Sequence, residues 1–485
     1  MLKIDWKPTK KSSVSLHIQI YDYLKKKIMN GEWVIGTKVP PQRELAKVFE
    51  VNRSTIIQAI DELIADGLIE SKVGSGTRVV NNTWNLLASS PPPDWISYVQ
   101  AGIHEPNLSI IQKINQAESN PNMIRLGTGE LSPNLLPSEQ MKNLLQEQLD
   151  QNFTLSYIEP KGSPSLRQAV SEYIKSKGIE ASPQSILIVS GGLQTLQLIS
   201  MGLLKRGSTI LHESPSYLHS VHVFQSAGMN LFGIPMDDEG IQCDSIGRLK
   251  RQHNGALLYT IPSFHNPTGG LMTEKRRKKL LEVSKKESLP MIEDDVYGDL
   301  WFEDPPPKPL KAHDTLGNVL YIGSISKTLS PGLRIGWIVG PEPVVDRLAD
   351  IKMQTDYGSS SLSQYVVEKW LSTGIYHDYI EQVRKELKVR RDFTLHILKN
   401  HFSDLASWNI PKGGFYIWLC IRANISIRTL FESALQEKIL INPGVVYDRH
   451  DQQHLRISYS YASLDEIEKG LLCLSQLIRI LAKNE

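Results

Sequence analysis

Apolar residues recur at helical spacing early in the chain and as short strand-like runs further on. Ile20, Leu24 and Ile28 put one apolar face on a helix over residues 16–30, which Asn30-Gly31 ends. After the turn Gly36-Thr37-Lys38-Val39-Pro40-Pro41, a second helix is expected over about 42–50, with Leu45, Ala46 and Phe49 inward. Val51-Asn52-Arg53-Ser54-Thr55 opens a third helix. Its buried stripe is Ile56, Ile60, Leu63 and Ile64, its candidate N-cap is Asn52 or Ser54, and Asp66-Gly67 ends it. Residues 68–71 and 74–80 then read as a two-stranded hairpin.

Residues 81–120 change character. Ser89-Ser90-Pro91-Pro92-Pro93 excludes helix and favours a stiff, extended strut, followed by an amphipathic piece at about 95–103. From residue 186 onward, strand-like runs alternate with helix-period segments. The strands are expected at 186–189, 209–212, 231–234, 256–261, 290–292, 319–322 and 335–339. That alternation describes an α/β sheet covered on both faces, whose sites gather at the carboxyl ends of the strands. From about Gly374 the pattern becomes helix, strand (414–421), helix, strand (454–459), helix, an α+β subdomain. Its last helix opens with the capping-box pair Ser463 and Glu466. Two domains joined by a linker are therefore expected: 1–80, the linker over 81–120, and 121–485 with the small subdomain from about 374.

Composition changes this picture little. The 485 residues are 40% hydrophobic and 22% charged, ordinary for a soluble globular protein. Three widely spaced cysteines (Cys243, Cys420, Cys473) lack metal-ligand spacing, so no metal site is expected and a reducing compartment fits. No apolar run is long enough to span a membrane and the first residues carry no signal core, which leaves the cytoplasm as the expected location. Residues 1–80 carry a net +4 and the remainder a net −2; a basic head and a solvated surface both account for that.

The candidate chemistry is more informative. Three short helices and a hairpin form a winged helix-turn-helix, in which the start of the third helix enters the DNA major groove. Arg53 is placed for a guanine edge, and Arg43, Ser54 and Thr55 for phosphates. A small helical protein–protein module is the other reading of the same pattern. Pro41-Gln42-Arg43-Glu44-Leu45-Ala46, Val51-Asn52-Arg53-Ser54-Thr55 and Gly74-Ser75-Gly76-Thr77 resemble the signature of GntR-type bacterial repressors. The resemblance implies DNA contacts from Arg43, Asn52, Arg53, Ser54, Thr55 and Gly76. The family more often has serine where this chain has Gln42 and Asn52.

In the large domain, Ser324-Ile325-Ser326-Lys327 follows a strand and Arg334 precedes the next. A lone lysine there can form a Schiff base, while a serine and an arginine take a phosphate. Ser190-Gly191-Gly192-Leu193 opens a helix, where free N–H groups suit a phosphate, although a plain glycine turn fits equally well. Tyr217 is an aromatic residue near a strand end, by itself readable as core or surface. Asn266, before Pro267, is held out of the helical region. Asp294 stands three residues before Tyr297, and an acidic turn reads Asp294-Asp295 equally well. Together these segments, in this order, resemble fold-type I aminotransferases of the aminoadipate and kynurenine branch.

That resemblance implies pyridoxal 5'-phosphate (PLP) as cofactor. It implies Lys327 as the catalytic Schiff-base lysine, Asp294 at the ring nitrogen, and Asn266 and Tyr297 at the ring hydroxyl. Tyr217 would stack on the ring, and Gly192, Leu193, Ser324 and Arg334 would hold the phosphate. Tyr157 matches the tyrosine such enzymes lend to a neighbouring subunit, which implies a homodimer; the linker length permits a domain-swapped one. Arg456 would grip an amino acid carboxylate, although a surface arginine is the usual reading of such a position.

A GntR-like head before an aminotransferase-like body is the layout of the MocR family of bacterial transcription regulators. The family implies a regulator that binds operator DNA and senses an amino acid or amine through an aldimine at Lys327. A working aminotransferase carrying a DNA-binding head is the alternative, since every cofactor and carboxylate-binding residue is present.

Overall fold

The computed structural model describes residues 4, 6–10, 12, 14–72, 76–80, 95, 108–149 and 156–484. They divide into two compact units, Met1–Gly102 and Ile103–Glu485. In the first, α1 (Leu16–Met29), α2 (Gln42–Phe49) and α3 (Arg53–Ala65) precede a hairpin of β1 (Ile69–Lys72) and β2 (Gly76–Val79), with Ile69 opposite Val79. Of the positions the spacing selects, Ile20, Leu24, Ile28, Leu45, Phe49, Ile56, Ile60 and Leu63 are buried, whereas Ala46 is half-buried and packs against that core. The stripe on α3 differs at two positions. Ala59 joins Ile56, Ile60 and Leu63 in the interior, while Ile64, one step past the edge of that face, is 38% exposed. Asn52 takes the N-cap position of α3 without a capping hydrogen bond from its side chain, and Ser54 lies inside the helix. The hairpin tip (Gly74, Ser75) and the proline-rich strut lie outside the described residues.

The second unit begins with α4 (Ser109–Glu118), inside the stretch expected as linker. Ile111 and Ile114, three apart on one face, bury themselves in the main core. The main sheet has eight strands. Seven are β3 (Ile186–Val189), β4 (Thr209–Ser214), β5 (Asn230–Asp237), β6 (Gly255–Thr260), β7 (Met291–Asp294), β8 (Val319–Ser324) and β9 (Gly336–Val339). Their order across the sheet is β3-β9-β8-β7-β6-β4-β5, closed at the edge by the short strand Gly240–Ile241. Six run in one direction. β9 is antiparallel to both its neighbours, and the edge strand is antiparallel to β5. The central strands read as unbroken apolar runs because both faces are covered, as in β3, where all four residues are buried.

The small subdomain has a four-stranded antiparallel sheet. In chain order its strands are β10 (Ala406–Trp408), β11 (Tyr416–Ile421), β12 (Asn442–Pro443) and β13 (His454–Ser458), arranged β10-β11-β13-β12. The long helices α6 (Ile375–His401) and α7 (Leu464–Asn484) pack together. The capping box at the start of α7 is reciprocal: Ser463 N–H donates to Glu466 Oε2 at 2.8 Å and Glu466 N–H to Ser463 Oγ at 3.3 Å. A two-residue parallel pairing of Ile124–Arg125 with Ile439–Leu440 brings residues 126–130 alongside this subdomain. Among the described residues no helix is long and apolar enough to cross a membrane, and no group of three or more His, Cys, Asp or Glu is placed to hold a metal ion.

Candidate functional site

The six codirectional strands deliver their carboxyl ends to one edge, and a cavity of about 430 Å³ opens there. Asp294 is the last residue of β7 and Ser324 the last of β8; Lys327 sits in the turn beyond β8, and Gly192 opens α5 (Gly192–Gly202) just after β3. Tyr217 follows β4 and Asn266 follows β6. Arg334 stands two residues before the reversed strand β9, which is why it reaches the same edge. All of these line the cavity, with Leu193, Tyr297 and Arg456. Tyr157 does not. It is 83% exposed, with its ring 5.1 Å from that of Tyr357.

The polar contacts are specific. Lys327 Nζ donates to the Gly129 carbonyl at 2.7 Å. Tyr259 O–H donates to Asp294 Oδ2 at 2.6 Å, while the buried Asp294 Oδ1 has no partner. Burial raises the Asp294 carboxyl to about 6, against the downward pull of the Tyr259 hydroxyl. Asn266 Nδ2 lies 3.5 Å from the Tyr297 hydroxyl, which is 3.1 Å from that of Tyr416. Burial pushes the Tyr297 phenol well up, and the neighbouring Tyr416 adds to this. Arg334 adopts a left-handed backbone (φ 54°) and donates from Nη2 to the Ser190 carbonyl at 2.8 Å. Ser324 Oγ donates to the Ile335 carbonyl at 3.1 Å. Gly191, with φ 91°, precedes α5 directly; a Cβ there would stand 2.5 Å from Arg334 Nη2.

Arg456 lies on β13, with Nη1 donating to Asn266 Oδ1 at 2.8 Å and Nη2 to the Gly127 carbonyl at 2.6 Å. Its guanidinium carbon stands 4.2 Å from the Tyr416 ring centroid and 4.8 Å from that of Tyr447. Tyr259, Tyr416, Tyr447 and Gly129 carry no motif, and sequence reasoning missed them. A Cβ on Gly129 would lie 2.2 Å from the Tyr416 hydroxyl, so only glycine lets this segment pass.

These residues fit PLP. An unpaired buried carboxylate oxygen suits a protonated pyridine nitrogen, and a serine, an arginine and a glycine-opened helix stand together for a phosphate. In the head, Arg43, Asn52, Arg53, Ser54 and Gly76 are exposed and Thr55 is half-buried. Arg53 Nη2 reaches Gln42 Oε1 at 3.3 Å, so a residue that departs from the GntR habit touches the candidate base-reading arginine.

Comparison with known proteins gives the same two parts. Residues 16–79 match the family described as bacterial regulatory proteins, gntR family, and residues 121–471 match aminotransferase class I and II. The HTH-type transcriptional regulator YisV of Bacillus subtilis is 55% identical over 474 residues, covering 98% of either chain. The chain belongs to the MocR family of bacterial transcription regulators. NorG of Staphylococcus aureus, also an HTH-type transcriptional regulator, is 37% identical over 90% of this chain and 98% of its own. The body of this MocR regulator is similar to the kynurenine aminotransferase of Pyrococcus horikoshii (TM-score 0.73, 30% identity, 78% of this chain and 95% of that one). It is also similar to LysN, the α-aminoadipate aminotransferase of Thermus thermophilus (TM-score 0.72, 28% identity, 78% and 96%). The fold is thus a GntR-type helix-turn-helix head joined to a fold-type I aminotransferase body, and the protein is a PLP-dependent, DNA-binding transcription regulator.

Proposed function

We propose that this regulator senses an amino acid or amine at Lys327 and reports it as a change in operator affinity. The observation that carries this reading is Arg456. Its side chain is 6% exposed, its Nε has no partner, and among the described residues no carboxylate pairs with it. A buried guanidinium whose hydrogen bonds go only to amide oxygens, with Glu118 of the same cavity acting on it without pairing, lacks a direct ionic partner, and a ligand carboxylate arriving in the cavity of Lys327 would supply one.

When bound, PLP supplies an electrophilic aldehyde and an electron-withdrawing ring. In this reading the Lys327 amine holds the aldehyde carbon, and Asp294 Oδ1 keeps a proton on the ring nitrogen. Asn266 and Tyr297 bond the ring hydroxyl, Tyr217 stacks, and the Gly192 and Leu193 N–H groups join Ser324 and Arg334 at the phosphate. Tyr157, exposed beside Tyr357, serves the phosphate of a second subunit, so the working form is a cytoplasmic homodimer. Residues 1–80 grip DNA through Arg43, Asn52, Arg53, Ser54, Thr55 and Gly76, the stretch from residue 81 to the start of α4 links, and α4 with residues 121–485 forms the body that holds cofactor and ligand. Control of this kind requires a ligand that binds the DNA-competent and incompetent states with different affinity.

The test is a gel shift of the purified PLP-loaded protein on its own promoter with a panel of amino acids and amines. One of them is expected to change the apparent Kd, and Lys327→Ala and Arg456→Ala to abolish the response. Operator affinity that ignores the whole panel overturns the sensing reading. Ketone product at enzyme-like turnover, roughly 1 s⁻¹ or more, would make the body a working aminotransferase instead.

A further inference from the structure

A second cavity, larger than the first at about 650 Å³, opens between the edge of the main sheet and the small subdomain. No part of the proposed function uses it. Its lining includes Glu213 and His265, both 1% exposed. Thr268 Oγ1 accepts from the Gly270 N–H at 3.2 Å, so its own proton is free for His265 Nδ1, 2.9 Å away. That arrangement leaves the His265 proton on Nε2, which faces the Glu213 carboxylate. Glu213 Oε2 lies 3.3 Å from His265 Nε2 and accepts from the Ile261 N–H (2.8 Å), while Oε1 accepts from Thr260 Oγ1 (2.6 Å); against burial, His265 first and then these donors hold the carboxyl below its usual value. Trp408 and Trp418, both half-buried, contribute aromatic surface. Asp238, exposed on the lining, makes no hydrogen bond or ion pair among the described residues; the exposed Lys412 is the one lysine of the lining.

We infer that this cavity is a second ligand site, taking an organic cation with a flat apolar body. Tryptophan rings and an unpaired carboxylate on the same lining attract such a cation. The site adjoins the cofactor cavity, because Ile261 lines both and His265 precedes Asn266 in the chain. It does not depend on what Lys327 binds.

The probe is benzyltrimethylammonium, whose quaternary nitrogen cannot condense with an aldehyde. Calorimetric titration of the full-length PLP-loaded protein is expected to show one saturable event per chain at millimolar probe. Trp408→Ala and Asp238→Asn should each weaken it by about tenfold, and Lys327→Ala should leave it unchanged. Three results would overturn the inference: no saturable heat, binding indifferent to both lining substitutions, or binding lost in Lys327→Ala, which would place the probe in the cofactor cavity. The Lys327→Ala arm keeps this outcome separate from any failure of amino acid sensing.

Discussion

Asp294 shows how one side chain is tuned by its surroundings. One carboxylate oxygen is taken by Tyr259, the other is left open to the cavity, and burial raises the acid to about 6. An aspartate raised in the folded state binds its proton more tightly there than in the unfolded chain. Between the unfolded value near 4 and the folded value near 6, the folded state therefore holds more protons, and this group's contribution to stability falls as pH rises. Above that window the ionised carboxylate costs cofactor-free protein on the order of 2–3 kcal/mol. Asp294→Asn is expected to remove this dependence. Cofactor-free variant should gain on wild type in urea midpoint between pH 4 and pH 7, and equal pH slopes would refute the assignment. The same variant should bind PLP more weakly, read by absorbance, because the ring nitrogen loses its anionic partner.

At the scale of elements, the strand ends do the positioning, and much of that was legible. The run 186–189 was expected and found without change, and 319–322 grew only by Gly323 and Ser324. Continuous apolar runs bounded by glycine and polar residues leave little room for another reading. Tyr259, Tyr416 and Gly129 were not legible, because their meaning depends on partners far along the chain. Lys327 meets Gly129 across 198 positions, and Tyr297 meets Tyr416 across 119. The start of α4 was obscured for a different reason: a short helix beside a proline-rich stretch shares its polar composition, and only burial of Ile111 and Ile114 assigns it to the body. The entry to α5 gives a prediction. Gly191→Ala adds a Cβ at a left-handed φ and against Arg334, so it should displace the guanidinium and weaken PLP binding by about tenfold, measured by equilibrium dialysis. Unchanged affinity would remove Arg334 from the phosphate site.

At the scale of the whole molecule, head and body carry separate apolar cores. Ile56 is fully buried in the head. Ile56→Ala is expected to cost about 2–5 kcal/mol and to abolish operator binding while the body keeps its bound PLP and its absorbance. Colour lost together with DNA binding would show that the two units do not fold independently. Within the body, one guanidinium joins the two lobes, since Arg456 of the small subdomain donates to Asn266 beside the main sheet. An arriving anion must share or take over that grip. The lobes would then trade an internal tether for one that runs through the guest, so that vacancy and occupancy become two different ways of holding the same body shut.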